Sequence, residues 1–103
     1  MITVRLTAVF SNWRDSLRDS RAKAAIARRI DRLASGNAGD WKPVGEGVSE
    51  LRIDHGPGYR IYFMRRGALL VVLLCGGDKD SQFRDIVLAK KMAANWIDNE
   101  DTR

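Results

Sequence analysis

The sequence predicts a single α+β domain. Its sheet is expected to be antiparallel, with elements in the order β-α-α-β-β-β-α and the helices packed on one face. Three observations carry this. Residues 20–34 repeat apolar side chains at helical spacing, and residues 48–65 alternate apolar with polar ones at strand spacing. Residues 68–75, ALLVVLLC, are apolar without a break, which marks a central strand.

Each element has its own local reason. In ITVRLT, residues 2–7, Ile2, Val4 and Leu6 alternate with Thr3, Arg5 and Thr7, the pattern of a half-buried strand. Ser11 or Asn12 can cap a short helix that runs to about Leu17. A second helix is expected over Ser20 to Ala34, with Ala22, Ile26, Ile30 and Leu33 as its buried stripe. Gly36 or Asn37 suits its left-handed C-terminal cap. Residues 37–47, NAGDWKPVGEG, read as a loop because turn formers dominate them. Strands follow at about Val48 to Asp54 and Tyr59 to Arg65, joined by HGPG, and then the apolar strand. Short links between these three favour antiparallel pairing. GGDKD turns into a last helix from about Ser81 to Trp96, with Phe83, Ile86, Val87, Ala93 and Trp96 proposed as its buried side.

At 103 residues there is room for one core, assigned to residues 1–97, with residues 98–103, DNEDTR, as a short acidic tail. A hydrophobic content of 45% excludes a disordered chain. The net charge of +5 favours an acidic partner such as nucleic acid, although solubility alone also explains it. One cysteine, Cys75, ends the apolar run, so no internal disulfide can form and a buried thiol is expected. The N-terminus lacks the basic-then-apolar design of a signal peptide, and no apolar run is long enough to span a membrane. The expected setting is a reducing cytoplasm. With no zinc or haem signature in the chain, no metal and no cofactor are expected.

Alternation places Arg52 with Glu50 and Asp54, and Arg60 with Tyr62 and Met64. If both sets share a face that the helices leave open, that face is a basic concavity able to grip phosphates bidentately. Equally, the two arginines can pair with Glu50 and Asp54 across the hairpin. GGDKD either lets an anion approach the backbone beside Lys79 or is a tight turn capped by Asp80 or Ser81. His55 is the only histidine and stands in a turn, so no histidine acid–base pair is available. On the second helix Arg28 and Arg29 belong to a basic stripe that either contacts nucleic acid or is simply solvated. Trp13, Trp41 and Trp96 read as core or partner anchors rather than stacking platforms.

The string RIDRLASGNAGDWKPVGEGVSELRIDHGPGYRIYF, followed by LLCGGDKDSQFRDI, resembles the RelE/ParE toxin superfamily, and within it the HigB-like addiction-module killer proteins. The likeness covers about residues 3–95. It implies a bacterial or phage-derived toxin of a type II toxin–antitoxin pair with a RelE-like fold. It further implies a ribosome-dependent mRNA endoribonuclease that inhibits translation without a metal. Arg60 falls in the GYR segment where the family grips phosphate, Arg52 in the strand that carries basic catalytic residues, and Lys79 after the last long strand. These three are the implied catalytic set. Tyr59, Tyr62, Arg28 and Arg29 are the expected RNA contacts. The implied partners are a helix-turn-helix antitoxin, the ribosome with its mRNA, operator DNA reached through the antitoxin complex, and no membrane. A second strand-borne basic residue and a C-terminal tyrosine, common in RelE-like nucleases, are missing. The alternatives are a ParE-like poison of DNA gyrase that is not an enzyme, and an inactive member acting through antitoxin and operator DNA.

Overall fold

The computed structural model describes residues 2–96. Strand β1 (Thr3–Leu6) is followed by helices α1 (Ala8–Ser16) and α2 (Ser20–Ala34). Four strands come next, β2 (Trp41–Gly45), β3 (Val48–Ile53), β4 (Tyr59–Arg66) and β5 (Leu70–Gly77), and then helix α3 (Gln82–Ala94). Together the strands make one mixed sheet in the order β1-β5-β4-β3-β2. β1 runs parallel to β5 and every other pairing is antiparallel. The proposed acidic tail lies outside the described residues.

The sheet is mixed rather than antiparallel as expected, because short links set the pairing of β2 to β5 but not of β1, which two helices separate from them. Two further expectations need correction. β2 was expected to be a loop, and it is an edge strand paired with β3. Its turn residues misled the reading: Pro43 is tolerated because an edge strand has one unpaired side. Glu46 and Gly47, with φ 55° and 79°, form a two-residue turn whose left-handed backbone matches the twist of the hairpin. Secondly, the helices do not share a face. Phe10 of α1 and Ile26 and Leu33 of α2 pack on Leu51, Ile53, Ile61, Phe63, Val71 and Leu73. On the other face α3 sets Ala89 and Ile86 on Val48, Tyr62, Met64, Val72, Leu74 and Cys75. An unbroken apolar β5 requires this, since both its faces must be covered. No open sheet face remains where Tyr62 and Met64 lie.

Helix starts and phases explain the smaller differences. α1 begins earlier than Ser11 because Thr7 caps it, its Oγ1 accepting from the Phe10 amide at 3.0 Å. α2 matches its expected span, with Asp19 accepting from the Arg21 and Ala22 amides. Of the side expected to be buried by α3, Ile86, Ala93 and Trp96 do pack on the core, whereas Phe83 is 83% exposed and Val87 is exposed too, and Asp85 and Ala89 are buried in addition. Apolar residues at positions 83, 86, 87 and 88 fit more than one phase.

Burial, with the Asp85 carboxylate second, pushes the Cys75 thiol from 9.0 up to about 12. The unfolded chain therefore loses this proton first. The resulting stability is fully present below pH 9 and is lost as pH rises towards 12. Thermal melting across that range should fall less steeply for Cys75→Ala than for the parent protein. An aromatic disulfide reagent should label Cys75 only upon unfolding.

Candidate functional site

Arg52 and Arg60 are directly paired across β3 and β4, and Arg60 pairs in turn with Gly77 of β5. Three neighbouring strands thus bring both guanidinium groups to one end of the sheet and one face, which alternation alone leaves open. Beneath them lies Glu50, one pleat back on β3 and 0% exposed. Arg52 Nε stands 3.4 Å from Glu50 Oε1, and Arg60 Nε 3.6 Å from Oε2. Tyr62 Oη donates to Oε2 at 3.2 Å, and Gln82 Nε2 of α3 donates to it at 2.8 Å. One enclosed carboxylate therefore anchors two cations, a phenol and the first turn of α3. Asp54, the other expected partner, is exposed.

The arginines are not consumed by this anchor. Both Nε–oxygen distances exceed a good hydrogen bond, so they are ion pairs without hydrogen-bond geometry. Arg60, whose side chain is 14% exposed, has Nε and Nη1 buried with no hydrogen-bond partner among the described residues. Arg52, at 41%, reaches further into solvent. A concavity of about 270 Å³ opens here, lined by Asp40, Arg52, Ile53, Asp54, Gly58, Tyr59 and Arg60. Lys79 is exposed beside the β3–β4 turn, its Cβ 3.7 Å from the position a side-chain carbon on Gly58 would take. The two guanidinium groups suit an oxyanion or phosphate, and they share the lining with the carboxylates of Asp40 and Asp54.

Other expected contacts are placed differently. Tyr62 is wholly buried, and burial, followed by the Glu50 carboxylate, drives its phenol well above the usual range. It can neither stack on a base nor give up its proton readily; it supports Glu50. Tyr59 is half-buried and edge-on to Trp13, with ring centres 6.1 Å apart. Arg29 donates to the carbonyls of Arg52, Ala38 (3.0 Å) and Asp40 (3.3 Å), and so clamps β3 to the loop before β2. Its guanidinium is therefore spent on backbone. Arg28 remains exposed on α2. His55 pairs with Asp19 Oδ2 at 3.1 Å, and this hydrogen bond is the first cause of a lowered Asp19 pKa. That pair ties the β3–β4 turn to the cap of α2.

GGDKD is a capped turn. The Asp78 carboxylate accepts from the Asp80 and Ser81 amides at 2.9 and 3.1 Å, a role expected of Asp80 or Ser81. Both glycines answer to packing: a Cβ at Gly76 would stand 2.3 Å from the Trp13 ring, and one at Gly77 would stand 1.8 Å from Asp85 Oδ2. Sequence reasoning offered Glu50 as a partner for the two arginines, as observed, but missed its complete enclosure. Its place in the alternation was the available signal, but alternation marks it only as polar and cannot show that α3 roofs it.

Among the described residues no group of three or more His, Cys, Asp or Glu side chains is placed to hold a metal, and no helix is long and apolar enough to cross a membrane. Residues 13–95 match the family model described as "Phage derived protein Gp49-like (DUF891)". A protein of Haemophilus influenzae, described as "Uncharacterized protein", is 50% identical over 92 residues, covering 89% of this chain and 93% of its own length.

Proposed function

Since the chain belongs to the phage-derived Gp49-like family, a family of the RelE addiction-module killer type, we propose that it is the toxin of a type II toxin–antitoxin pair and cuts mRNA on the ribosome. The observation that carries the reading is Arg60: a largely enclosed guanidinium with an unpartnered Nη1, directly paired across the strands with Arg52. A HigB-like placement within the superfamily, a helix-turn-helix antitoxin as partner, and operator DNA reached through that complex belong to the same proposal.

Cleavage by a ribose 2′-hydroxyl needs a proton acceptor, stabilisation of the charge on phosphorus-bound oxygens, and a donor to the departing 5′-oxygen. Arg60 and Arg52 serve the second need, because their planar forks meet an anion whose charge grows as the reaction proceeds. Lys79, an ammonium on a flexible stem, serves the third. The first is poorly met by the chain itself: Glu50 is enclosed and ion-paired, Tyr62 holds its proton, and His55 is engaged by Asp19. Dependence on the ribosome follows, since the bound mRNA and its surroundings must complete the acid–base set.

Induction in bacteria without the antitoxin should stop incorporation of labelled amino acid within minutes, before thymidine incorporation falls. DNA breaks and a DNA-damage response preceding any loss of translation would replace this reading with gyrase poisoning.

A further inference from the structure

A second concavity, about 670 Å³, lies behind the Arg60 neighbour Gly77, between α1 and the start of α3. Its lining is more acidic than that of the Arg52–Arg60 site, where two arginines stand with two aspartates. Trp13 and Phe83 stand in its wall with the Gly76–Gly77 backbone, and Asp78, Asp80 and Asp85 supply carboxylates against the single cation Arg84. Asp85 is 8% exposed, with Oδ2 accepting from Ser81 Oγ. Beyond the rim, Phe83 and Val87 form an exposed apolar shelf one turn apart on α3. An 83%-exposed phenylalanine beside a pocket of this kind marks an interaction surface rather than a core position.

The charge settles what enters. In a chain of net charge +5, this concavity is locally acidic, so a phosphate-bearing strand is repelled where a cation is attracted. Aromatic walls favour a planar, weakly hydrated cation over a compact ammonium. We infer that this pocket and shelf dock a protein segment that places an arginine against Asp85 between Trp13 and Phe83 and lays apolar side chains on Phe83 and Val87. The docking surface is separate from the Arg52–Arg60 site and stands whether or not the chain cuts RNA.

The probe is an end-blocked leucine–arginine–leucine tripeptide titrated into the ¹⁵N-labelled protein, with its citrulline counterpart and guanosine monophosphate alongside. Saturable shifts should concentrate on the Trp13 indole and the amides of Gly76, Gly77 and Ser81, with citrulline binding at least ~10-fold more weakly. Phe83→Ala, at an exposed position, should weaken binding several-fold without unfolding the protein. Asp85→Asn should abolish it; should that variant misfold, Asp80→Asn, at an exposed position, should still weaken binding measurably. Equal binding of the citrulline peptide, unsaturable shifts spread over the surface, or Phe83→Ala binding as the parent would each overturn the inference. Guanosine monophosphate moving these same resonances in place of the peptide would overturn it in favour of a nucleotide subsite.

Discussion

Arg60→Ala should abolish toxicity. Losing one preorganised contact to a developing oxyanion typically costs about 10²–10³ in rate, roughly 3–4 kcal/mol. A deficit of that size should permit growth when the variant is induced without its antitoxin. The side chain is only 14% exposed and faces Glu50, so its removal also withdraws one of the two cations from a buried carboxylate. A stability loss of about 1–3 kcal/mol is expected alongside. Arg60→Lys separates the two effects. It keeps a positive charge near Glu50 and should restore most of the melting temperature, yet a point charge cannot reproduce the fork, so toxicity should return only in part. If Arg60→Ala remained folded and fully toxic in growth and circular dichroism measurements, the phosphate-gripping role would be lost. Were Arg60→Lys to regain both stability and full toxicity, the residue would matter to the fold alone.

Glu50→Ala should be the most damaging substitution for the fold. Removing one partner of a buried ionic cluster typically costs about 3–5 kcal/mol, because the remaining charges stay enclosed without compensation. In a domain of this size that corresponds to a fall of roughly 12–40 °C in melting temperature. Glu50→Gln should be milder, since an amide oxygen can still accept from Tyr62 and Gln82 while the two ion pairs are lost. Replacing the whole cluster by apolar residues, Glu50→Leu with Arg52→Leu and Arg60→Met, should recover much of the stability but no toxicity. Thermal unfolding of the three proteins checks the ordering. Glu50→Ala melting within a few degrees of the parent would mean that the carboxylate is not the anchor the geometry describes.

Sequence pattern revealed the parts of this molecule that obey one period and one environment. The alternation in β1, β3 and β4, the stripe of α2 and the apolar run of β5 are of that kind. It failed where tertiary context decides. Trp41–Gly45 carries a proline and ends in a glycine, and becomes a strand only because β3 offers it an edge. The apolar positions of α3 fit several faces, and the helix turned to enclose Asp85 and Ala89 while leaving Phe83 outside. An unbroken β5 already demanded cover on both faces, which conflicts with placing every helix on one. At the site, alternation grouped each arginine with its own strand's polar side, and the register of β3 on β4 is what puts Arg52 opposite Arg60. The enclosure of Glu50 depends on Gln82, 32 positions away in the chain, and no local pattern carries that.

The central claim is met most directly by mapping 5′ ends on an mRNA carried by purified translating ribosomes after adding this protein. Cuts within the coding region, at the codon in the ribosomal decoding site, are the predicted result. The same RNA without ribosomes should stay intact, and Arg60→Ala should leave both intact. Equal cutting of naked RNA, or intact mRNA on ribosomes that have nonetheless been exposed to active toxin, would contradict the account.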